Sequence, residues 1–195
     1  MPDLDFAYEA KRSLRRIRRK ILERIERTGD SRFSYEERVE TIDARLDEHW
    51  ERLFVLLHRL YGEHYDFFFY LENILLTAID CWLSRPDDLY DLDIRRENDP
   101  GWYLSNNMAG GSLYVDLFSD DLQTLRTKIP YFKKLGLSYI HLMPLYASRS
   151  GNSDGGYAIS DYRAVDRRLG TMEDLRVLAT DFREAGISLV LDFVF

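Results

Sequence analysis

The chain has 195 residues, 45% of them hydrophobic and 14% aromatic, with a formal net charge of −7 and a single cysteine, Cys81. That apolar content excludes a disordered chain, the lone cysteine excludes an internal disulfide framework, and the acidic balance argues against nucleic acid as a partner. The longest apolar run, around Phe67–Leu76, contains Glu72 and Asn73 and is shorter than the roughly 18–20 residues of a membrane span. The opening Met-Pro-Asp-Leu-Asp lacks a signal-peptide pattern, so a soluble cytoplasmic protein with no membrane partner is expected.

In chain order, Leu14, Ile17, Ile21, Leu22 and Ile25 recur at helical steps, which predicts an amphipathic helix. It should stop at Thr28-Gly29-Asp30, with Gly29 as its C-terminal cap. A second helix is expected after Ser34, where Glu37 completes a capping-box pattern. Val39, Ile42, Leu46, Trp50, Leu53, Leu57 and Leu60 mark its apolar side, and Gly62 breaks it. An aromatic helix follows over Tyr65–Leu83. These elements make a helical N-terminal domain over residues 1–93. Ser84–Pro100 is crowded with Asp, Arg and Glu and reads as a polar stretch with one short helix; a connector is placed at 94–111.

After Gly101 the rhythm alternates. Ser112–Phe118 reads as a strand, Leu122–Leu135 as a helix ended by Gly136, and Leu137–Met143 as a strand stopped by Pro144. A loop holds Gly151, Gly155 and Gly156. Thr171–Ala185 reads as a helix, with Thr171 as N-cap, Asp174 three residues on, and Gly186 at its end. Ile187–Phe195 is a strand, apolar almost throughout, as expected for one covered on both faces. Strand-helix alternation predicts βαβ units on a parallel sheet, so the fold class is α + α/β, with a second domain over residues 112–195.

Several residues stand out chemically. Asp154 and Tyr157 lie three apart in the Gly-rich loop; an aromatic face and a carboxylate are what a sugar ring and its hydroxyls require. Asp192 and Asp116 are carboxylates in apolar strand candidates, where an unpaired charge is costly. His49, His58, His64 and His141 show no metal-ligand spacing, so no metal site is expected, and His141 reads as a strand-core residue. No phosphate-binding glycine motif is present, and no cofactor is expected. Lys11, Arg12, Arg15, Arg16, Arg18, Arg19 and Lys20 form a basic helix face. It reads as a solvated surface, balanced by acids such as Glu36, Glu37, Glu40 and Asp43, rather than as a membrane or nucleic-acid contact.

Asp154-Gly155-Gly156-Tyr157-Ala158-Ile159-Ser160-Asp161-Tyr162-Arg163 resembles the loop after the second barrel strand of amylosucrases, a sucrose-acting group of the α-amylase family that stands beside the sucrose hydrolases. His141-Leu142-Met143-Pro144-Leu145 is similar to the strand before it. Leu169-Gly170-Thr171-Met172-Glu173-Asp174-Leu175 and Leu191-Asp192-Phe193-Val194-Phe195 are similar to the next helix start and the third barrel strand. The resemblance implies that residues 112–195 are the first three strands of an incomplete (β/α)₈ barrel, preceded by a helical domain. It implies that Tyr157 stacks on a glucosyl ring, that Asp154 pairs with a downstream arginine, and that Asp192 supports the site. Asp161 and Tyr162 brace the loop. The family's nucleophile and acid/base follow the fourth and fifth strands, so no catalytic residue is expected in this chain, which would be inactive alone. Sucrose and an α-glucan acceptor are the implied partners, in a retaining mechanism. Other expectations are a sucrose hydrolase or another relative within the family, or a non-catalytic binding module. Exposed strand edges would favour self-association.

Overall fold

The computed structural model describes residues 5–28, 33–151 and 153–194. The chain divides into two units, Met1–Arg95 and Arg96–Phe195. The first is built from α1 (Phe6–Thr28), α2 (Phe33–Tyr61) and α3 (Phe67–Leu83), and α4 (Asp87–Asn98) begins at its end. Ala10, Leu14, Ile17 and Ile21 of α1 meet Ile42, Leu46, Trp50 and Phe54 of α2 and Phe67, Leu71, Leu75, Leu76 and Ile79 of α3 in one core. The four-residue row from Ile42 to Phe54 sets the inner face of α2. Leu53 and Leu60, expected on that face, are therefore exposed, as is Leu22, one position round α1 from buried Ile21. The α2 helix already includes Phe33, ahead of Ser34. The expected stop at Gly29, the Ile25 side chain and the Ser34 cap lie outside the described residues and side chains.

Among the described residues of this unit two polar side chains are buried. Arg38, 3% exposed, donates to the carbonyls of Leu83 (3.2 Å) and Arg85 (2.5 Å) and to Asp87 (2.6 Å), and so ties α2 to the turn between α3 and α4. Glu72, 7% exposed, accepts from Arg16 Nε (2.9 Å), Arg16 Nη2 (2.7 Å) and Lys20. Burial pushes its carboxyl up. Hydrogen bonds from Lys20 and Arg16, with their charges, outweigh that and hold it below its ordinary value. The basic face of α1 is laced with acids: Arg18 pairs with Asp43 (2.8 Å) and Asp47 (2.7 Å), and Arg12 with Glu9 (3.6 Å). Among the described residues no single helix is long and apolar enough to cross a membrane.

The second unit carries a parallel sheet of β1 (Gly110–Leu113), β2 (Tyr139–Leu142) and β5 (Ser188–Leu191), in the order β1-β2-β5. Between β2 and β5 the chain makes a two-stranded antiparallel excursion, β3 (Tyr146–Ser148) with β4 (Ile159–Val165), and then α8 (Met172–Glu184). Thr171 and Asp174 cap α8 reciprocally, with Asp174 N donating to Thr171 Oγ1 (3.1 Å) and Thr171 N to Asp174 Oδ2 (2.8 Å). Side chains alternate across each strand. Ile140 and Leu142, with Leu113, Leu189 and Leu191, pack on Leu122, Leu125, Phe132, Leu175, Leu178 and Phe182 of the helices. Ser112, His141 and Val190, which share a register row, fall on the other face.

Four expectations are corrected here. The Ser112–Phe118 strand ends at Leu113; Val115–Ser119 is the short helix α5, with Asp116 exposed in its first turn. Asp116 accepts from Leu117 N (3.0 Å) and is not a buried strand carboxylate. The Leu122–Leu135 helix is two pieces, α6 (Leu122–Arg126) and α7 (Ile129–Lys134). Pro130 has no N–H to give and its ring would strike the Arg126 carbonyl of a continuous helix. The last strand closes at Leu191, and Val190, Phe193 and Val194 are 42%, 65% and 44% exposed, because helices cover only one face of this sheet; Phe195 lies outside the described residues. Finally, β1 starts at Gly110, inside the stretch expected as connector.

Candidate functional site

The C-terminal ends of the three parallel strands bring together Tyr114, the Met143–Pro144 corner and Asp192. The excursion after β2 returns a turn of 3₁₀ helix, Asp154–Gly156, over the same rim. Its backbone is left-handed at Asp154 (φ 50°), Gly155 (φ 65°) and Gly156 (φ 94°). At Gly156 glycine is required twice. Its φ is one that residues with a Cβ rarely adopt, and a Cβ would lie 3.0 Å from Pro144 Cβ and 3.2 Å from the Pro144 carbonyl oxygen. The loop is thus pressed onto the end of β2. A Cβ on Gly155 would lie 3.6 Å from the Tyr114 hydroxyl, so the loop also borders the end of β1.

This placement presents Tyr157 to Asp192. Burial, then the Asp192 charge and hydrogen bonding to it, then Tyr114, push the Tyr157 phenol above its ordinary value. It stays protonated at neutral pH and points donor character at the carboxylate. Asp192 Oδ1 sits 3.0 Å from His141 Nε2, and His141 Nδ1 is 3.3 Å from Ser112 Oγ. The His141 ring thus bridges the Asp192 carboxylate and the Ser112 hydroxyl, which also lies 3.4 Å from Met143 Sδ. Asp192 Oδ2 is buried without a hydrogen-bond partner among the described residues.

Tyr162 fastens the loop's second strand to the chain after β5. Its hydroxyl accepts from Val194 N (2.7 Å) and donates to the Val194 carbonyl. Its ring lies 4.7 Å from that of Phe193 and 5.3 Å from that of Tyr146. Asp161 serves its own strand by accepting from Arg163 N (2.8 Å).

Of the three residues singled out by sequence, the structure brings Tyr157 and Asp192 together. Asp154 is exposed at the start of the turn, and its carboxylate has no hydrogen bond or ion pair among the described residues. Among the described residues no group of three His, Cys, Asp or Glu is close enough to hold a metal ion. Sequence reasoning missed His141 as the partner of Asp192, and with it Ser112 and Tyr114. The available signal was the pairing of three parallel strands, which puts positions 112 and 141 side by side.

Chemically, the rim offers an aromatic ring 36% exposed, a free carboxylate three residues before it and a second carboxylate fixed from behind. That is a surface for a neutral polyhydroxyl ligand, with rings for its apolar faces and acceptors for its hydroxyls.

The family profile described as alpha amylase, catalytic domain, matches residues 91–195. The chain is 42% identical over 74 residues to the probable oligo-1,6-glucosidase 3 of Bacillus subtilis, covering 38% of this chain and 13% of that protein. It is 34% identical over 110 residues to the salivary alpha-glucosidase of Anopheles gambiae, covering 53% and 18%. The chain therefore spans under a fifth of the length of these relatives. Among solved structures it is similar to the trehalulose synthase MutB from Pseudomonas mesoacidophila, at 34% identity over 45% of this chain and 17% of that one, with a TM-score of 0.40.

Proposed function

Because the chain belongs to the α-amylase family, we propose that residues 96–195 are the opening β/α units of its catalytic barrel, in a sucrose-acting α-glucosyl enzyme resembling amylosucrase. In such barrels ligands bind at the C-terminal ends of the strands. The observation that carries the reading is the meeting of Tyr157 and Asp192 at that end, from a loop after β2 and from the end of β5.

In this reading the Tyr157 ring lies under the apolar face of a glucosyl unit, and Asp154 receives hydroxyls at the pocket floor together with an arginine from elsewhere in the barrel. Asp192, held by His141, supports the wall. A retaining mechanism needs one carboxylate to attack the anomeric carbon and another to protonate the departing fructosyl oxygen, then to activate the acceptor. The resemblance puts both after later strands, so the residues of this chain bind and orient, and do not break the bond. The chemistry requires no cofactor. Sucrose and an α-glucan acceptor are the proposed partners; a sucrose hydrolase would use the same rim with water as acceptor. Nucleic acid and membrane have no part in the reading, and a cytoplasmic location goes with it.

A second reading is hydrolysis of α-1,6-linked oligosaccharides, favoured by the 42% identity to the probable oligo-1,6-glucosidase 3. The test is a graft of residues 96–195 into an amylosucrase in place of its own counterpart. In the graft, Tyr157→Ala should lower kcat/KM for sucrose about a hundredfold, since a misplaced glucosyl ring loses its attack geometry, whereas Tyr157→Phe keeps most activity. Equal activity of Tyr157→Ala and the parent graft would contradict the stacking role.

A further inference from the structure

The α3 helix is apolar on two faces, and the first unit uses only one of them. Phe67, Leu71, Leu75, Leu76 and Ile79 are buried in its core. Away from that face Phe69, Tyr70, Asn73, Ile74 and Thr77 are all exposed. The contrast with α1 is sharp, since the outer face of that helix is covered with ion pairs.

The arc is continuous with a groove. Leu57 and Tyr61 at the end of α2, Tyr65 in the turn, and Tyr70 and Ile74 of α3 line a hollow of about 650 Å³. Tyr61, Tyr65, Phe69, Tyr70 and Ile74 are 52%, 101%, 60%, 59% and 57% exposed. The floor is rigid: His58 and Phe67 rings meet at 5.1 Å, and Phe54 and Phe67 at 6.1 Å. The turn above it is held by Gly62, where a Cβ would meet the His58 carbonyl oxygen at 2.4 Å. Knob and hole therefore stand on one face, with the Phe69 ring edge-on to Tyr70 at 5.5 Å.

We infer that this face pairs with the same face of a second copy of the chain, about a two-fold axis, with the outer arc of α3 at its centre. Three observations favour that occupant. Between Asp66, which lines the groove, and exposed Asp80 the outer arc carries no charge, because Glu72 points inward to Arg16 and Lys20. A two-fold contact sets each residue against its own patch, so an uncharged arc is one that self-pairing does not penalise. Projecting rings and a groove on one surface are self-complementary. And four rings at these exposures, each worth roughly 150–250 Å² in full, with Ile74 and the flanking Leu60, approach the ~800 Å² per partner of a stable interface.

The test is sedimentation of the full 195-residue chain from about 1 to 100 μM, with Phe69→Glu and Ile74→Glu singly and together, and Val190→Lys on the parallel sheet as the control. Positions 69 and 74 are exposed, and circular dichroism checks that the variants keep their helix content. A concentration-dependent dimer is expected, shifted at least tenfold toward monomer by either glutamate and unaffected by Val190→Lys. A chain that is monomeric throughout overturns the inference, as does a dimer that survives the double variant or is broken by Val190→Lys alone. Monomers that co-sediment with anionic vesicles, or that bind a maltooligosaccharide through these rings, overturn it as well.

Discussion

Tyr157 shows how one residue inherits its chemistry from the fold. Its phenol is raised by burial and by the Asp192 charge, so removing that charge has a definite sign: Asp192→Asn should bring the late-titrating phenol back toward 10.0. Ultraviolet titration of phenolate, with Tyr157→Phe to assign the group, reads this directly; no change in Asp192→Asn would place the cause elsewhere. Glu72 has the opposite linkage. Its carboxyl is held below the ordinary 4.5, so its contribution to stability is present above the unfolded value and is lost as pH falls through the folded one. The chain should therefore lose stability on acidification below about 4.5, and Glu72→Gln should flatten that dependence. At neutral pH the variant should cost about 1 kcal/mol, less than a fully buried pair because Arg16 and Lys20 reach solvent. A denaturant midpoint that falls equally in both proteins from about pH 5 to about pH 2.5 would contradict it. Asp154 and Tyr157 stand out because a Gly-rich loop with that pattern is sequence-local; the structure sets Tyr157 by Asp192 and leaves Asp154 exposed. His141 does not stand out, because its meaning comes from Asp192, 51 positions away, through strand pairing.

Among the elements, those with local punctuation were readable and those set by tertiary context were not. The α8 helix has its stop and start in the sequence, Thr171 with Asp174 at one end and Gly186 at the other. Thr171→Ala should lower the melting temperature by roughly 5 °C through the lost cap, measured by calorimetry. The α5 helix reads as a strand, SLYVDLF, because its alternation is real but its backbone turns at Tyr114 to bury Val115 under the sheet. Likewise the excursion of β3 and β4 was hidden in a loop whose ends pair only because the tip is clamped on Pro144. Gly156→Ala, which adds both a strained φ and a contact with that backbone, should cost about 1–3 kcal/mol and loosen Tyr157. Hydrogen exchange across 146–165 would report it as faster exchange confined to that segment; unaltered protection would show that the clamp does not hold the loop.

For the whole molecule, the helical and alternating halves were visible in the change of period near Gly101, because one needs a 3.6-residue stripe and the other a repeated strand-helix order. What sequence could not show is which sheet face the helices leave bare. The β2 strand is paired on both sides and β1 and β5 on one, so amides of 139–142 should exchange more slowly than those of either neighbour. The most direct test of the central claim is to graft residues 96–195 into two hosts, an amylosucrase and an oligo-1,6-glucosidase, and compare the activity each retains on its own substrate. The account predicts that the sucrose enzyme keeps most of its kcat/KM while the oligo-1,6-glucosidase falls about a hundredfold; full activity in the second host with loss in the first would contradict it.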